Sequence, residues 1–297
     1  MKRAGVLMLV AVPVVLAATV YGFTPTLHDD ARPTLHDDAR PTLHDDARPA
    51  RPSATRQSKA KTPEGLFVPA EKELAQQLVA SAENSTLDWR SAYGYIEDIG
   101  DGQGYTAGII GFCTGTHDLL LLVERYTKDH PAGGLARYLP ALRRVDGTDS
   151  HQGLDGFPAA WKKEALVPAF RAAQDAERDR VYFDPAVRRA RLDGLGTLGQ
   201  FIYYDAMVMH GPGTGTGGFY DLRTRAMAQA DTPAEGGSEK AYLDAFLDIR
   251  RAAMKSTDAH RDTTRIDTAQ REFLYAGNLD LRTPLEWKVY GETYKVP

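Results

Sequence analysis

The run Pro69-Ala-Glu-Lys-Glu-Leu-Ala-Gln-Gln-Leu-Val-Ala-Ser-Ala-Glu83 is followed shortly by Tyr95-Ile-Glu-Asp-Ile-Gly-Asp-Gly-Gln-Gly-Tyr-Thr106. In the first, Leu74, Leu78, Val79 and Ala82 recur at the spacing of one apolar helix face, so a helix is predicted over Pro69 to Ala82 with Glu83 at its end. Ser85-Thr-Leu-Asp88 resembles a capping box with a shortened acid, which predicts a second helix start there. The second run is rich in glycine and disfavours helix. Tyr105, Ile109 and Ile110 suit short strands. Glycines on both sides of Asp101 free the backbone to present one carboxylate outward.

Working outward, helical patterns run over Leu119 to Tyr126, Leu135 to Val145, Ala159 to Phe183, Pro185 to Met209, Phe219 to Ala230, Lys240 to Met254 and Asp267 to Ala276. Asp184-Pro185 reads as a helix start, with Asp as cap and Pro at the first helical position. Sustained helix with one small sheet near residue 100 predicts an α+β, mainly α-helical domain.

Towards the N-terminus the chain changes character. Met1-Lys2-Arg3 precedes an uncharged run from Ala4 to Phe23, the shape of an export signal. An uncleaved anchor is the rival, but Pro13 and the weakly apolar end favour a cleaved signal over residues 1–23. Pro25-Thr-Leu-His-Asp-Asp-Ala-Arg32 then recurs at 33–40 and 41–48. Each copy has one aliphatic side chain beyond alanine and cannot bury a core, so residues 24–62 read as a disordered spacer. Metal capture by His28, His36 and His44 is the weaker alternative. The folded domain is expected over 63–297.

The 297 residues carry 36 Lys+Arg and 40 Asp+Glu, a net charge of −4. Residues 1–62 hold 9 and 6 of these, which leaves 27 and 34, or −7, on the domain. An acidic domain argues against a nucleic-acid partner and suits a cationic one. A single cysteine excludes an intramolecular disulfide and a multi-thiolate metal site. Gly213-Thr-Gly-Thr-Gly-Gly218 fits a dinucleotide fingerprint, yet no repeated β-α-β pattern surrounds it, and it reads as a loop after Pro212. Cys113, beside Gly111 and Phe112, reads as a packed thiol. On spacing alone, Glu83 reads as a solvated helix-end acid and Asp101 as a turn former. The competing reading pairs them as the two carboxylates that glycoside hydrolysis requires.

Ser81-Ala-Glu-Asn-Ser85, Leu87-Asp-Trp89, Tyr95-Ile-Glu-Asp-Ile-Gly-Asp-Gly102, Gly104-Tyr-Thr106 and Gly108-Ile-Ile-Gly-Phe-Cys113 closely resemble the family 46 glycoside hydrolases, the bacterial endo-chitosanases. The likeness continues in Tyr138-Leu-Pro-Ala-Leu142, Glu177-Arg-Asp-Arg-Val-Tyr-Phe-Asp-Pro-Ala-Val187, Tyr203-Tyr-Asp205, Met209-His-Gly-Pro-Gly213 and Ala276-Gly-Asn-Leu-Asp-Leu281. The resemblance implies a lysozyme-like fold of two lobes, with a small β-sheet on one wall of the substrate cleft. It implies endohydrolysis of β-1,4 links in chitosan with inversion. Glu83 matches the general acid, Asp101 the general base, and Thr106 the hydroxyl that helps hold the nucleophilic water. Asp118 matches a carboxylate that receives a glucosamine amine. Tyr95, Tyr182 and His260 are expected to bind substrate. Asp205, Arg250 and Arg265 match a charge network behind the acid.

A general acid must carry its proton, and a nearby arginine opposes that. Arg265 is therefore expected to be partly neutralised by Asp205, leaving it to orient Glu83. Gln103 stands where the family pattern suggests a basic residue, and Thr257 and Arg261 where it suggests acidic ones. These departures bear on substrate affinity and cleavage pattern, not on the reaction. A secreted monomer with chitosan as partner, no cofactor and no metal is the expectation. The alternatives are a muramidase acting on peptidoglycan and a non-catalytic polysaccharide-binding protein.

Overall fold

The computed structural model describes residues 65–297. The export segment, the octapeptide repeats and their histidines lie outside the described residues. The predicted first helix is α1, Pro69–Glu83, with Leu74, Leu78, Val79 and Ala82 on its buried face. Pro69 suits the first turn because its missing N–H would have no partner there. At the other end the Asn84 N–H closes the last turn on Ala80 O.

The helix expected from a capping box at Ser85 does not form as read. Ser85 sits at φ 50°, in the left-handed region rather than the extended backbone of an N-cap. A six-residue 3-10 helix, Trp89–Gly94, follows instead, and Asp88 makes no side-chain cap to it.

The small sheet is antiparallel, built from β1 Ile96–Asp98, β2 Tyr105–Ala107 and β3 Phe112–Cys113. Its register sets Glu97 opposite Thr106, and Thr106 opposite Cys113. Ile109 and Ile110 lie in the buried turn from β2 to β3 and not in strands. That turn requires glycine at 108, where φ is 75° and an added Cβ would meet Gln174 Oε1 at 2.4 Å.

α2 is Asp118–Asp129, α3 Leu139–Val145, α4 Phe157–Glu164 and α5 Pro168–Arg178. The helix read over Ala159 to Phe183 is interrupted before Pro168, where Val167 takes ψ 121°, because the proline ring excludes its predecessor from helical geometry. The helix start read at Asp184 is also corrected. The chain passes from α5 through a π-helical turn, Asp179–Phe183, into α6, Asp184–Leu192, without leaving the helical region, and Asp184 caps nothing. Pro185, which has no N–H to continue the ladder, comes directly after this widened turn. Gly194, at φ 80°, separates α6 from α7, Thr197–His210.

α7 is buried almost throughout and contacts α1, α6, α8 (Phe219–Met227) and α9 (Glu239–Thr257). A helix buried on nearly all sides belongs at the centre of a core. The Gly213–Gly218 segment is a loop leading into α8, and every described strand pair is antiparallel, so no dinucleotide-binding unit is built. A second π-helical turn, Ile266–Gln270, precedes the short α10, Arg271–Tyr275.

β4, Leu285–Val289, and β5, Glu292–Val296, form a hairpin that the sequence reading did not identify. Its signal is the alternation of buried Leu285, Trp287 and Val289 with exposed Glu286 and Lys288. Trp287 Nε1 donates to Ser81 Oγ at 2.9 Å, so the hairpin braces the end of α1. The sheet packs with α2 and α4, whereas α6, α8 and α9 pack against α7, α10 against α9, and the hairpin against the second π-helical turn. The domain is mainly helical, as expected, with two small antiparallel sheets where one was expected.

Candidate active site

Glu83, the last residue of α1, is half-buried, and its Oε1 lies 2.8 Å from Arg265 Nη2. The contact is an ion pair whose angles fall outside hydrogen-bond geometry. The same Nη2 lies 2.6 Å from Oδ1 of Asp205, which projects from α7 at 1% exposure. Asp205 Oδ2 accepts from Arg250 Nη2 at 2.8 Å and Gln270 Nε2 at 2.6 Å, while Gln270 Oε1 accepts from Arg250 Nη1 at 2.8 Å. Burial alone would push the Asp205 carboxyl up. The guanidiniums of Arg265 and Arg250 outweigh it and hold the group well below the usual carboxylate range. Burial opposes the charge on Arg265 too, yet Asp205 and Glu83 hold its pKa above the ordinary value. Arg250 goes the other way: burial pushes it down, and Asp205 only partly offsets this. Arg265 is thus shared between two carboxylates.

Asp101 lies in the glycine turn between β1 and β2, where its Oδ1 accepts the Gln103 N–H at 3.0 Å. Asp98 Oδ1 likewise accepts the Gly100 N–H at 2.8 Å. The turn-former reading of Asp101 therefore holds, and it does not compete with a chemical role. Burial raises the Asp101 carboxyl above its ordinary value, partly countered by the Gln103 N–H. Gly104, at φ 68°, has no room for a side chain: a Cβ would meet Thr114 Oγ1 at 2.2 Å. Thr106 projects from β2 with its hydroxyl 3.2 Å from Cys113 Sγ. Cys113 is half-buried, as read, and burial pushes its thiol up to about 12.

Asp118 opens α2 at 7% exposure. Its Oδ1 accepts from the Cys113 N–H at 2.8 Å, the Leu119 N–H at 2.9 Å and the Thr116 hydroxyl at 2.7 Å. Its Oδ2 accepts from the Tyr182 hydroxyl at 2.8 Å, which leaves one acceptor position on that oxygen. Tyr182 is buried, and its single hydroxyl proton is committed to Asp118. Tyr95 is half-buried just before β1, where burial and then Glu97 push its hydroxyl up. His260 is exposed in the turn after α9, its N–H donating to Asp258 Oδ1 at 2.8 Å.

Of the predicted residues, Glu83 gathers with Asp205, Arg250 and Arg265, and Thr106 with Asp118 and Tyr182 through Cys113, while Asp101 stands on the turn before Thr106, and Tyr95 and His260 touch neither cluster through a side-chain hydrogen bond. Gln270 belongs to the first cluster, and nothing in the local sequence distinguishes it from an ordinary polar helix residue. Arg261, noted only as a departure, is 8% exposed and lies within electrostatic reach of both Glu83 and Asp101. Gln103, also 8% exposed, receives the Gly115 N–H on its carbonyl at 2.8 Å. Thr257 is exposed at the end of α9. Among the described residues no three His, Cys, Asp or Glu side chains are placed to hold a metal ion, and no helix is long and apolar enough to cross a membrane.

Glycoside hydrolysis requires a pair of carboxyl groups, and the chain offers Glu83 and Asp101 as candidates. Residues 77–285 match the model of glycosyl hydrolase family 46, and the chain belongs to that family. It is 57% identical to the chitosanase of Streptomyces sp. (strain N174) over 246 residues, 82% of this chain and 88% of that protein. It is 39% identical to the chitosanase of Bacillus subtilis (strain 168) over 225 residues, 72% of this chain and 80% of that one. A Gynuella sunshinyii family 46 chitosanase solved with chitotetraose superposes with a TM-score of 0.71 at 32% identity, covering 76% of this chain and 97% of that one. The fold is the lysozyme-like one of these relatives.

Proposed function

We propose that the protein, exported by residues 1–23, is an endo-acting chitosanase that cleaves β-1,4 links between glucosamine units with inversion. The observation that carries the mechanism is Arg265, held between Glu83 and Asp205. A guanidinium facing Glu83 alone would favour its ionised form. One already committed to Asp205 orients the carboxyl and still lets it bring a proton. Glu83 gives that proton to the leaving glycosidic oxygen as the bond to C1 breaks. A water attacks C1 from the opposite face and passes its proton to Asp101. Thr106 holds the water. Inverting enzymes leave about 6.5–9.5 Å between the two carboxyls for that water.

Glucosamine units are ammonium ions in mildly acidic solution, so a domain with a net charge of −7, 27 Lys+Arg against 34 Asp+Glu, attracts the polymer. The remaining acceptor position on Asp118 Oδ2 suits one amine by a charge-assisted hydrogen bond. Tyr182 contributes by holding that oxygen, and Tyr95 and His260 are the further substrate contacts in this reading.

The test is incubation with chitosan, followed by NMR of the first-formed reducing ends. New ends appearing initially as the α anomer are expected. A β anomer would remove the inverting assignment. Reducing ends released from peptidoglycan and not from chitosan would replace it with a muramidase.

A pH profile provides a second check. Asp101 must be ionised to accept the proton, and its raised pKa moves loss of activity to higher pH. The acid limb of kcat/KM is expected above the ordinary aspartate value of about 3.9. A limb at or below that value would contradict Asp101 as the base.

A further inference from the structure

Thr106 has one hydroxyl proton and two lone pairs, and the direction of that proton decides how it can hold water. Its Oγ1 faces Sγ of Cys113 at 3.2 Å, across a strand pair in which the two residues are register partners. Taken alone, that contact could be donated by either atom. Cys113 has a second contact, however: its thiol donates to Gly111 O at 3.1 Å. A thiol has a single proton. With that proton on Gly111, the sulfur can only accept, and the hydrogen between the residues comes from Thr106. Both lone pairs of Thr106 Oγ1 then remain for an outside donor. The arrangement is fixed from behind, because the Cys113 N–H is bound to Asp118 Oδ1 at 2.8 Å and Gly111 takes φ 73° in the turn that offers its carbonyl.

We infer that Cys113 is a positioning residue for the hydrolytic water: by accepting the Thr106 hydroxyl proton it makes Thr106 an obligatory acceptor. The inference rests on the reading of Thr106 and Asp101 given above. The water gives one hydrogen to Thr106 Oγ1 and the other to Asp101, which leaves an oxygen lone pair for C1. As the C1–O bond forms, the electron pair of the breaking bond leaves with the glycosidic oxygen, protonated by Glu83. The water proton on the Asp101 side moves to that carboxylate. The hydrogen facing Thr106 stays on the new anomeric hydroxyl. A Thr106 hydroxyl free to rotate would instead donate to the water part of the time, engaging one of the water oxygen's two lone pairs and turning the water from the orientation that Thr106 and Asp101 set together.

The variants Cys113→Ala, Cys113→Ser, Thr106→Ala and the Cys113→Ala/Thr106→Ala pair test this, each measured for kcat, KM and Tm. Cys113→Ala, which removes the acceptor, is expected to lower kcat about 2- to 13-fold, the rate equivalent of one neutral hydrogen bond, with KM unchanged. Cys113→Ser keeps a donor and an acceptor at the same place and is expected to restore most of kcat. In the Thr106→Ala background, Cys113→Ala should reduce kcat no further, because the two residues act through one contact. Wild-type kcat in Cys113→Ala would overturn the inference, as would an equal loss in both backgrounds, the behaviour of a residue that only supports the sheet. Wild-type kcat in Thr106→Ala would instead remove the water-holding role of Thr106 on which the inference stands.

Discussion

Glu83→Gln is expected to lower kcat on chitosan by about 10²–10⁴-fold, the usual contribution of general acid catalysis, with little change in Tm. Gln matches Glu in shape but has no acidic proton to give the leaving oxygen. The fold should tolerate the exchange because Arg265 keeps Asp205 at 2.6 Å and is not stranded. The end of α1 is fixed independently by the Ser81–Trp287 hydrogen bond. Reducing-end release, with a thermal melt of the same preparation, measures both properties. Activity within a few-fold of wild type would remove Glu83 from the mechanism. Loss of activity together with loss of the cooperative melt would mark it as a structural residue.

Asp205→Ala is expected to give the largest loss of stability. The carboxylate is 1% exposed and receives three donors, from Arg250, Arg265 and Gln270. Its removal leaves two buried guanidiniums without their anion, and breaking a buried pair in this way costs about 3–5 kcal/mol. For a domain of this size that corresponds to a fall in Tm of about 6–20 °C. Activity should fall as well, because Arg265 is then left to Glu83 alone and favours its ionised form. The pH dependence follows from the direction of the shift. Asp205 is held below its unfolded value, so its contribution is complete above about pH 4 and is lost only as pH falls through the lower, folded value. The gap in Tm between wild type and variant should therefore stay constant from neutral pH down to about 4–5 and narrow only below that. A variant with unchanged Tm and kcat would show the network to be dispensable.

Most of the helices were legible because their apolar faces repeat at helical spacing, and α1, α2 and α9 follow that signal closely. The departures have more than one cause. Pattern reading registers which side of a helix is apolar, but it is insensitive to how the chain is wound. The two π-helical turns, at Asp179–Phe183 and Ile266–Gln270, keep an apolar face while widening the backbone. Asp184-Pro185 carries the signal of a helix start, yet Pro185 sits inside a continuing helical run. The C-terminal hairpin was missed although its alternation is plain, since five-residue strands have little length over which to stand out.

The site was legible to different degrees. Glu83 and Asp101 were recognisable through the surrounding motifs, and spacing alone would have left them a helix-end acid and a turn former. Asp205 and Arg265 come from the family resemblance, and chemistry adds that Asp205 should neutralise Arg265, because an unneutralised arginine beside an acid is unproductive. The roles of Gln270 and Cys113 depend on hydrogen-bond directions between segments distant in the chain, which no linear pattern records.

The bond from Trp287 to Ser81 joins residues 206 positions apart. At a synthesis rate of roughly 5–20 residues per second, Trp287 is made about 10–40 s after Ser81. Until it arrives, the helix that carries Glu83 can be formed but not braced. The residue proposed as proton donor thus sits at the end of a helix whose brace is among the last segments synthesised.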